Sequence, residues 1–356
     1  MNSFANISRE TIQELLQYYM RGSKKIAKAL GIDLSETYEL RLAPFAEGEY
    51  NINLLLSLEK THARWVVRLA KSSQMHLEQQ ITYEAHALEL LETSARTPRL
   101  YFVDDTKEAL PFGFLIEAYL DGRPLVYEKD LAQAAAILAD VHSVPVPSAR
   151  KLIAPPSQLK IIADECRAMF DLYRSWANAD KALIAWVDER FIQVEALLAQ
   201  EQREKHRSSQ NETLHIVNTE LNSNNFLINE GSQSFLVDWE KPLLGSVAQD
   251  LGAFLVVTTT LWKSDTVLQK EQRQEFLELY TSAVAGRFCC ENIELKVNRF
   301  LALCSLRGIT WCAMAFFQHE SKLRPLQDDY TFLRVQKFIS QEFCSNVYHD
   351  YWKSLI

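Results

Sequence analysis

Long apolar runs, paired cysteine motifs and a surplus of positive charge are all missing from this chain, and each absence removes a class of function. The longest apolar run, Leu251 to Trp262, is broken by three threonines and is too short to span a bilayer. The N-terminus, MNSFANISRE, has no basic segment leading into an apolar one, so no secretory signal is expected; a cytoplasmic location is, with no membrane partner. The six cysteines (Cys166, Cys289, Cys290, Cys304, Cys312, Cys344) form no CxxC pair and no metal-ligand spacing, and read as reduced, mostly core thiols. A formal net charge of -8 lacks the basic footprint that nucleic-acid binding needs. Glycine is scarce, and the turn Ala46-Glu47-Gly48-Glu49 holds only one, a weak phosphate cradle taken alone. No internal repeat or low-complexity tract is present.

What remains is an ordinary globular composition, 47% hydrophobic and 24% charged, in a chain of 356 residues, long enough that two lobes are expected. Thr11 to Leu30 has helical spacing. Strands follow at Tyr38 to Phe45, Tyr50 to Leu58 and Arg64 to Ala70, then a helix from about Leu77 to Leu91. Within that helix Ile81, Glu84, Leu88 and Leu91 share one stripe, so Glu84 points at the core and needs a partner. Arg68, on the apolar strand VVRLA, is the candidate, although a purely structural ion pair would read the same. Tyr101–Val103 and Phe112–Glu117 add two strands and complete a five-stranded antiparallel sheet. After the boundary near Glu117–Gly122 the chain is almost entirely helical, with helices expected at Gln158–Gln200, Gln274–Ala285, Leu295–Phe317 and Asp329–Phe343. Glu201 to Asn211 reads as a charged connector. His142 falls on an apolar stripe and reads as a satisfied core histidine.

One hairpin interrupts the helical part. Asn225–Asn229 and Ser234–Asp238 are short apolar runs around Glu-Gly-Ser-Gln, which predicts a two-residue Gly231-Ser232 turn. That register sets Phe226 against Val237 and Asn225 against Asp238. An amide oxygen and a carboxylate so placed would suit Mg²⁺, and equally could just end a surface hairpin.

The layout of small sheet, hinge and helical lobe resembles protein-kinase-like enzymes, and within them the aminoglycoside phosphotransferase and choline kinase family. The carrying residues are VDWEKPLLGSVAQDLGAF (Val237–Phe254), the loop Phe45–Asn51 and FLIEAYLDGRPL. The resemblance implies an α+β, bilobal fold, with residues 1–118 as a nucleotide-binding lobe and 119–356 as a helical lobe holding the substrate pocket. It implies ATP or GTP with Mg²⁺ as cofactors, and a small-molecule hydroxyl as acceptor. By the same resemblance Gly48 and Asn51 belong to the nucleotide loop, Arg68 contacts phosphates and pairs with Glu84, and the backbone of Ile116, Glu117 and Ala118 meets the purine. Asn225 and Asp238 would hold the metal, and Asp250 would brace the catalytic loop.

The family's loop usually reads HGD-L-H-x-x-N. Here it reads Asn218-Thr219-Glu220-Leu221-Asn222-Ser223-Asn224-Asn225, with Glu220 where aspartate is usual. Glu220 and Asn225 are therefore the catalytic candidates, and the added methylene can cost on the order of 10²-fold in rate through misplacement. Two readings stay open: an active kinase, or a silent nucleotide-binding or scaffold protein. A homodimer is compatible with either.

Overall fold

Two serines set the first helices. In this computed structural model, which describes residues 7–33, 39–48, 50–59, 61–149, 151–207, 213–326, 328–353 and 355, Ser8 caps α1 (Arg9–Gly22) by accepting from the Thr11 N–H. Ser23 ends α1 and caps α2 (Lys24–Ala29) from the Ile26 N–H. The single helix expected over Thr11 to Leu30 is thus two, because a serine hydroxyl competes for backbone N–H groups and suits a cap better than a helix interior.

The chain divides into two compact units. The first comprises Met1–Arg123, Val146–Leu152 and Phe226–Pro242. Its five strands, β1 (Leu40–Glu47), β2 (Asn51–Leu58), β3 (Arg64–Ala70), β4 (Leu100–Asp104) and β5 (Phe114–Ala118), lie in the order β1-β2-β3-β5-β4 with every pair antiparallel. β1 runs two residues beyond the expected end, through a register shift between Pro44 and Ala46 where proline has no N–H to give the ladder. The expected start of that strand at Tyr38, and Glu49 of the following turn, lie outside the described residues.

Strand periodicity sorts β3 by face. Trp65, Val67 and Leu69 join Ile12, Leu16, Met20 and Ile26 of the two N-terminal helices in one apolar core. Arg68 therefore emerges on the other face of the sheet. Helix α3 (Gln80–Leu91) starts later than expected, and its stripe of Ile81, Glu84, Leu88 and Leu91 is buried as the spacing predicts.

The same unit contains the hairpin of β8 (Phe226–Ile228) and β9 (Phe235–Leu236). It pairs Phe226 with Leu236 and Leu227 with Phe235, one residue off the expected register. The turn is longer than two residues because Ser234 turns inward: its Oγ accepts from the Asn229 N–H at 2.9 Å. Gly231, at φ +75°, takes the left-handed position of this loop.

The second unit comprises Pro124–Pro145, Ile153–Asn225 and Leu243–Ile356. Its helices are α4 (Tyr127–His142), α5 (Gln158–Arg174), α6 (Lys181–Arg207), α7 (Ala248–Leu255), α8 (Val257–Lys263), α9 (Lys270–Ala283), α10 (Ile293–Glu320), α11 (Asp329–Phe338) and α12 (Gln341–Val347). Two expected single helices, Gln158–Gln200 and Asp329–Phe343, are each split in two. α6 continues to Arg207 through most of the expected connector, whose last four residues, 208–211, lie outside the described ones. A short antiparallel pair, β7 (His215–Val217) with β10 (Leu243–Gly245), frames the loop that follows β7; β6 (Arg123–Pro124) is the remaining strand.

α10 is long and apolar enough by composition to cross a bilayer, but 61% of its apolar window is buried inside this unit, which accounts for the apolarity. Of the six cysteines only Cys166, Cys312 and Cys344 are buried, and Cys289 is exposed, so the thiols are less uniformly core than expected.

Candidate active site

Arg68 is the centre of the sheet unit's polar face. Its side chain is only 7% exposed, and a guanidinium taken so far from water is costly unless paired and hydrogen-bonded. Three carboxylates do this. Nε donates to Glu84 Oε2 at 2.6 Å, while Nη2 donates to Asp238 Oδ1 at 2.7 Å and to Glu240 Oε2 at 3.1 Å.

The partners are fixed in turn. Gln80, one turn before Glu84, gives its Nε2 to Glu84 Oε1 at 3.0 Å and to the Glu240 carbonyl at 2.6 Å. Asn51 Nδ2 donates to Glu240 Oε2 at 2.7 Å, and Tyr83 OH donates to the Pro242 carbonyl at 2.6 Å. The segment Asp238–Pro242 is thereby bonded to α3 and to the start of β2. Asp238 itself sits at φ +65°, a left-handed conformation that a non-glycine residue adopts at a cost of about 1–2 kcal/mol. β9 ends at Leu236, and the Asp238 carboxylate reaches Arg68 from this turned backbone.

The charges shape one another. Burial alone would lower the Arg68 pKa, but Glu84, Asp238 and Glu240 raise it well above the ordinary value. Glu84 is raised because burial outweighs the attraction of Arg68. On β5, Glu117 shares a sheet face with Arg68, whose strand partner is Leu115. Burial pushes its carboxyl up to about 7, Arg68 opposing and the negative Glu84 and Asp238 adding to the rise. Three acidic side chains, Glu84, Asp238 and Glu240, thus meet at one guanidinium.

The nucleotide-loop and hinge candidates lie in the same unit. Gly48 N–H donates to the Asn51 carbonyl at 3.2 Å, and Lys71 Nζ donates to the Gly48 carbonyl at 2.7 Å. Ile116 is paired on both sides, with Val67 and with Phe102. The Ala118 N–H is given to the Arg99 carbonyl at 2.9 Å, so the expected purine contact through Ile116–Ala118 does not have that donor available.

In the helical unit the loop after β7 hangs from Asp250. Its Oδ2 accepts from the Asn218 N–H at 2.8 Å and its Oδ1 from the Thr219 N–H at 2.7 Å. His142, fully buried, bonds to Asp250 Oδ2 at 3.1 Å through Nε2 and to Tyr280 OH at 2.8 Å through Nδ1, which makes it a satisfied core histidine. Thr219 turns the chain at φ +74°, and the Glu220 N–H donates to Asn218 Oδ1 at 3.2 Å. Asn225 closes the loop, its Nδ2 donating to the Glu220 carbonyl at 2.9 Å.

The Glu220 carboxylate is not left to water alone. Arg307 of α10 donates from Nη2 to Glu220 Oε1 at 2.7 Å, and binds Glu165 of α5 through Nε at 3.0 Å and Nη2 at 3.3 Å. Burial would lower the Arg307 pKa, but the two carboxylates raise it well above the usual range.

The sheet unit thus brings together Arg68, Glu84 and Asp238, and the helical unit brings together Glu220 and Asn225. The observed hairpin register withdraws the argument that set Asn225 directly across from Asp238. Four further residues, Gln80, Glu240, Glu165 and Arg307, escaped sequence reasoning. Two left a signal. Gln80 is four residues before Glu84 on the same helix, and Arg307 is the lone cation within Phe300–Phe317, the same misfit that marked Glu84.

Residues 41–288 match the model of the phosphotransferase enzyme family. No curated protein matches the chain by sequence. Among solved structures, ethanolamine kinase from Plasmodium vivax superposes with a TM-score of 0.62 at 14% identity, over 95% of this chain and 90% of that one. Choline kinase from Streptococcus pneumoniae gives 0.58 at 16%, over 94% and 99%. A spectinomycin phosphotransferase in complex with ADP and spectinomycin gives 0.52 at 15%, over 97% and 99%. At these identities the likeness speaks for the fold, which is that of the protein-kinase-like small-molecule kinases.

Proposed function

Because this chain belongs to the phosphotransferase enzyme family, we propose that it moves the γ-phosphoryl group of ATP or GTP to a hydroxyl of a small polar molecule, in a Mg²⁺-dependent reaction. The observation that carries this reading is the Arg68 cluster, in which a strand cation, a helix carboxylate and two acids of the Asp-Trp-Glu segment meet in one unit.

The residues fit the metal. Three acids at one guanidinium are poorly suited to bare phosphates and would suit a divalent cation that accompanies them. Asp238 would offer a carboxylate oxygen, and Asn225, its Nδ2 committed to the Glu220 carbonyl, would offer Oδ1. When bound, Mg²⁺ neutralises charge on the phosphates and orients them. Arg68 would contact a phosphate oxygen while Glu84 keeps its guanidinium in place. Asp250 fixes the loop backbone, and Glu220 would orient the acceptor hydroxyl and take its proton. The ADP bound by the spectinomycin phosphotransferase supports nucleotide use.

The ion pair between Arg307 and Glu220 favours a second reading, a protein that binds nucleotide without turnover because its base is already engaged. A thermal-shift scan with MgATP, then ATP consumption against amino alcohols, aminoglycosides and sugars, separates the two. The kinase reading expects stabilisation and turnover on at least one acceptor, with Glu220→Gln losing turnover and keeping nucleotide affinity. Equal activity of wild type and Glu220→Gln removes the base role. Stabilisation without consumption across the panel favours the silent reading.

A further inference from the structure

A cleft of about 480 Å³ opens within the helical unit between the first turns of α6 and the segment formed by α12 and the turn after it. Arg190 of α6 lines it and is only 5% exposed. Three rings surround its guanidinium carbon, which lies 5.0 Å from the Trp186 centroid, 4.6 Å from that of Tyr348 and 6.0 Å from that of Trp352. Ring faces hold a cation without using its N–H groups.

The donors are where the site is unfinished. Arginine has five N–H donors. Among the described residues the one acceptor Arg190 reaches is Glu189 Oε2, 2.9 Å from Nη2, and that carboxylate is 68% exposed. Nε is buried and has no partner among the described residues. A buried cation with so many idle donors is costly by itself, and burial accordingly pulls the Arg190 pKa down, with Glu189 and Tyr348 opposing. By contrast, the guanidinium groups of Arg68 and Arg307 are each matched by carboxylates on other elements.

We propose that this cleft is a binding site for a small organic monocarboxylate with an apolar body. A carboxylate entering the cleft would give the Arg190 guanidinium, one of its lining groups, a charged acceptor. The body would lie against Leu183, Trp186 and Ile339, and the Ser345 hydroxyl and Gln341 amide are further donors on the lining. A dianion such as phosphate is disfavoured by Glu189 beside the same guanidinium, and nothing apolar in it would use the Trp186 wall. The site is independent of the phosphotransferase reading.

The test is calorimetric titration of the full chain with 3-phenylpropionate, with its amide and with inorganic phosphate. Saturable binding of the carboxylate is expected, with the amide and phosphate at least tenfold weaker. Arg190→Met should weaken the carboxylate at least tenfold. Glu189→Gln, which removes the competing charge, should strengthen it severalfold, a gain that loss of fold cannot imitate. The proposal is overturned by no saturable binding, by equal binding of the amide or phosphate, or by an affinity that Glu189→Gln leaves unchanged.

Discussion

Replacing Arg307 by methionine removes the cation that bonds to both Glu165 and Glu220 and sets a similar-sized apolar side chain in its place. At the observed 2.7 Å the bare attraction between Arg307 and Glu220 is about 6 kcal/mol at an effective dielectric of 20 and about 1.5 kcal/mol in water. The three side chains are 24–28% exposed, so water screens part of this, and desolvation and side-chain ordering offset more. A coupling of about 2 kcal/mol between Arg307 and Glu220 follows, within the span that double-mutant cycles find for contacting residues. Arg307→Met alone should cost about 3 kcal/mol, since it removes both ion pairs at once. Glu220→Gln should cost less, since Glu165 still holds the arginine. The assay is urea unfolding followed by tryptophan fluorescence, because five of the seven tryptophans lie in the helical unit. Midpoints of wild type, both single variants and the double variant give the coupling directly. A value below about 0.5 kcal/mol, or an Arg307→Met no less stable than Glu220→Gln, would refute the reasoning.

Three further outcomes are expected. Asp238→Ala should abolish Mg²⁺-dependent ATP binding in calorimetry, and an unchanged affinity would end its assignment as a ligand. Glu117 has a folded pKa near 7, above its unfolded value, so its contribution is fully present at low pH and is lost as pH rises through 7. Wild type should therefore lose melting temperature between pH 5 and pH 8 by more than Glu117→Gln does, and parallel curves would contradict the burial argument. At Gly252, where α7 meets α10, an added Cβ would lie 2.5 Å from Phe300 Cβ, so Gly252→Ala should destabilise by about 1–3 kcal/mol in the same urea assay. A neutral result would mean the two helices separate freely.

The parts of the fold that were legible in sequence are those where one local rule acts without competition. Strands β2 and β3 are apolar runs of strand length bounded by turn residues, and the Glu84 stripe predicted both its own burial and its partner Arg68. Where two rules compete, reading failed. Ser23 could continue a helix or cap one, and it caps. Ser234 could begin a strand with its side chain outward, and instead it bonds to Asn229 and slips the hairpin by one residue. Periodicity gives no warning of that, because the choice is made by one hydroxyl. Glu240 has no local signature within the Asp-Trp-Glu segment, because its contacts to Arg68 and Asn51 span 172 and 189 residues of chain. Sequence also could not show that Phe226–Pro242 belongs with the sheet and not with the helices that flank it.

That last feature has a consequence during synthesis. Asp238 is made 170 residues after Arg68. At ribosomal speeds the delay is roughly 10–30 s, long compared with the time in which local strands and helices form. For that interval the emerging sheet carries a buried cation with Glu84 as its only partner among the three carboxylates. The strands translated first cannot reach their final electrostatic balance until a segment two-thirds of the way down the chain has left the ribosome. A truncated N-terminal piece should consequently behave as a client of holding chaperones and not as a free-standing domain.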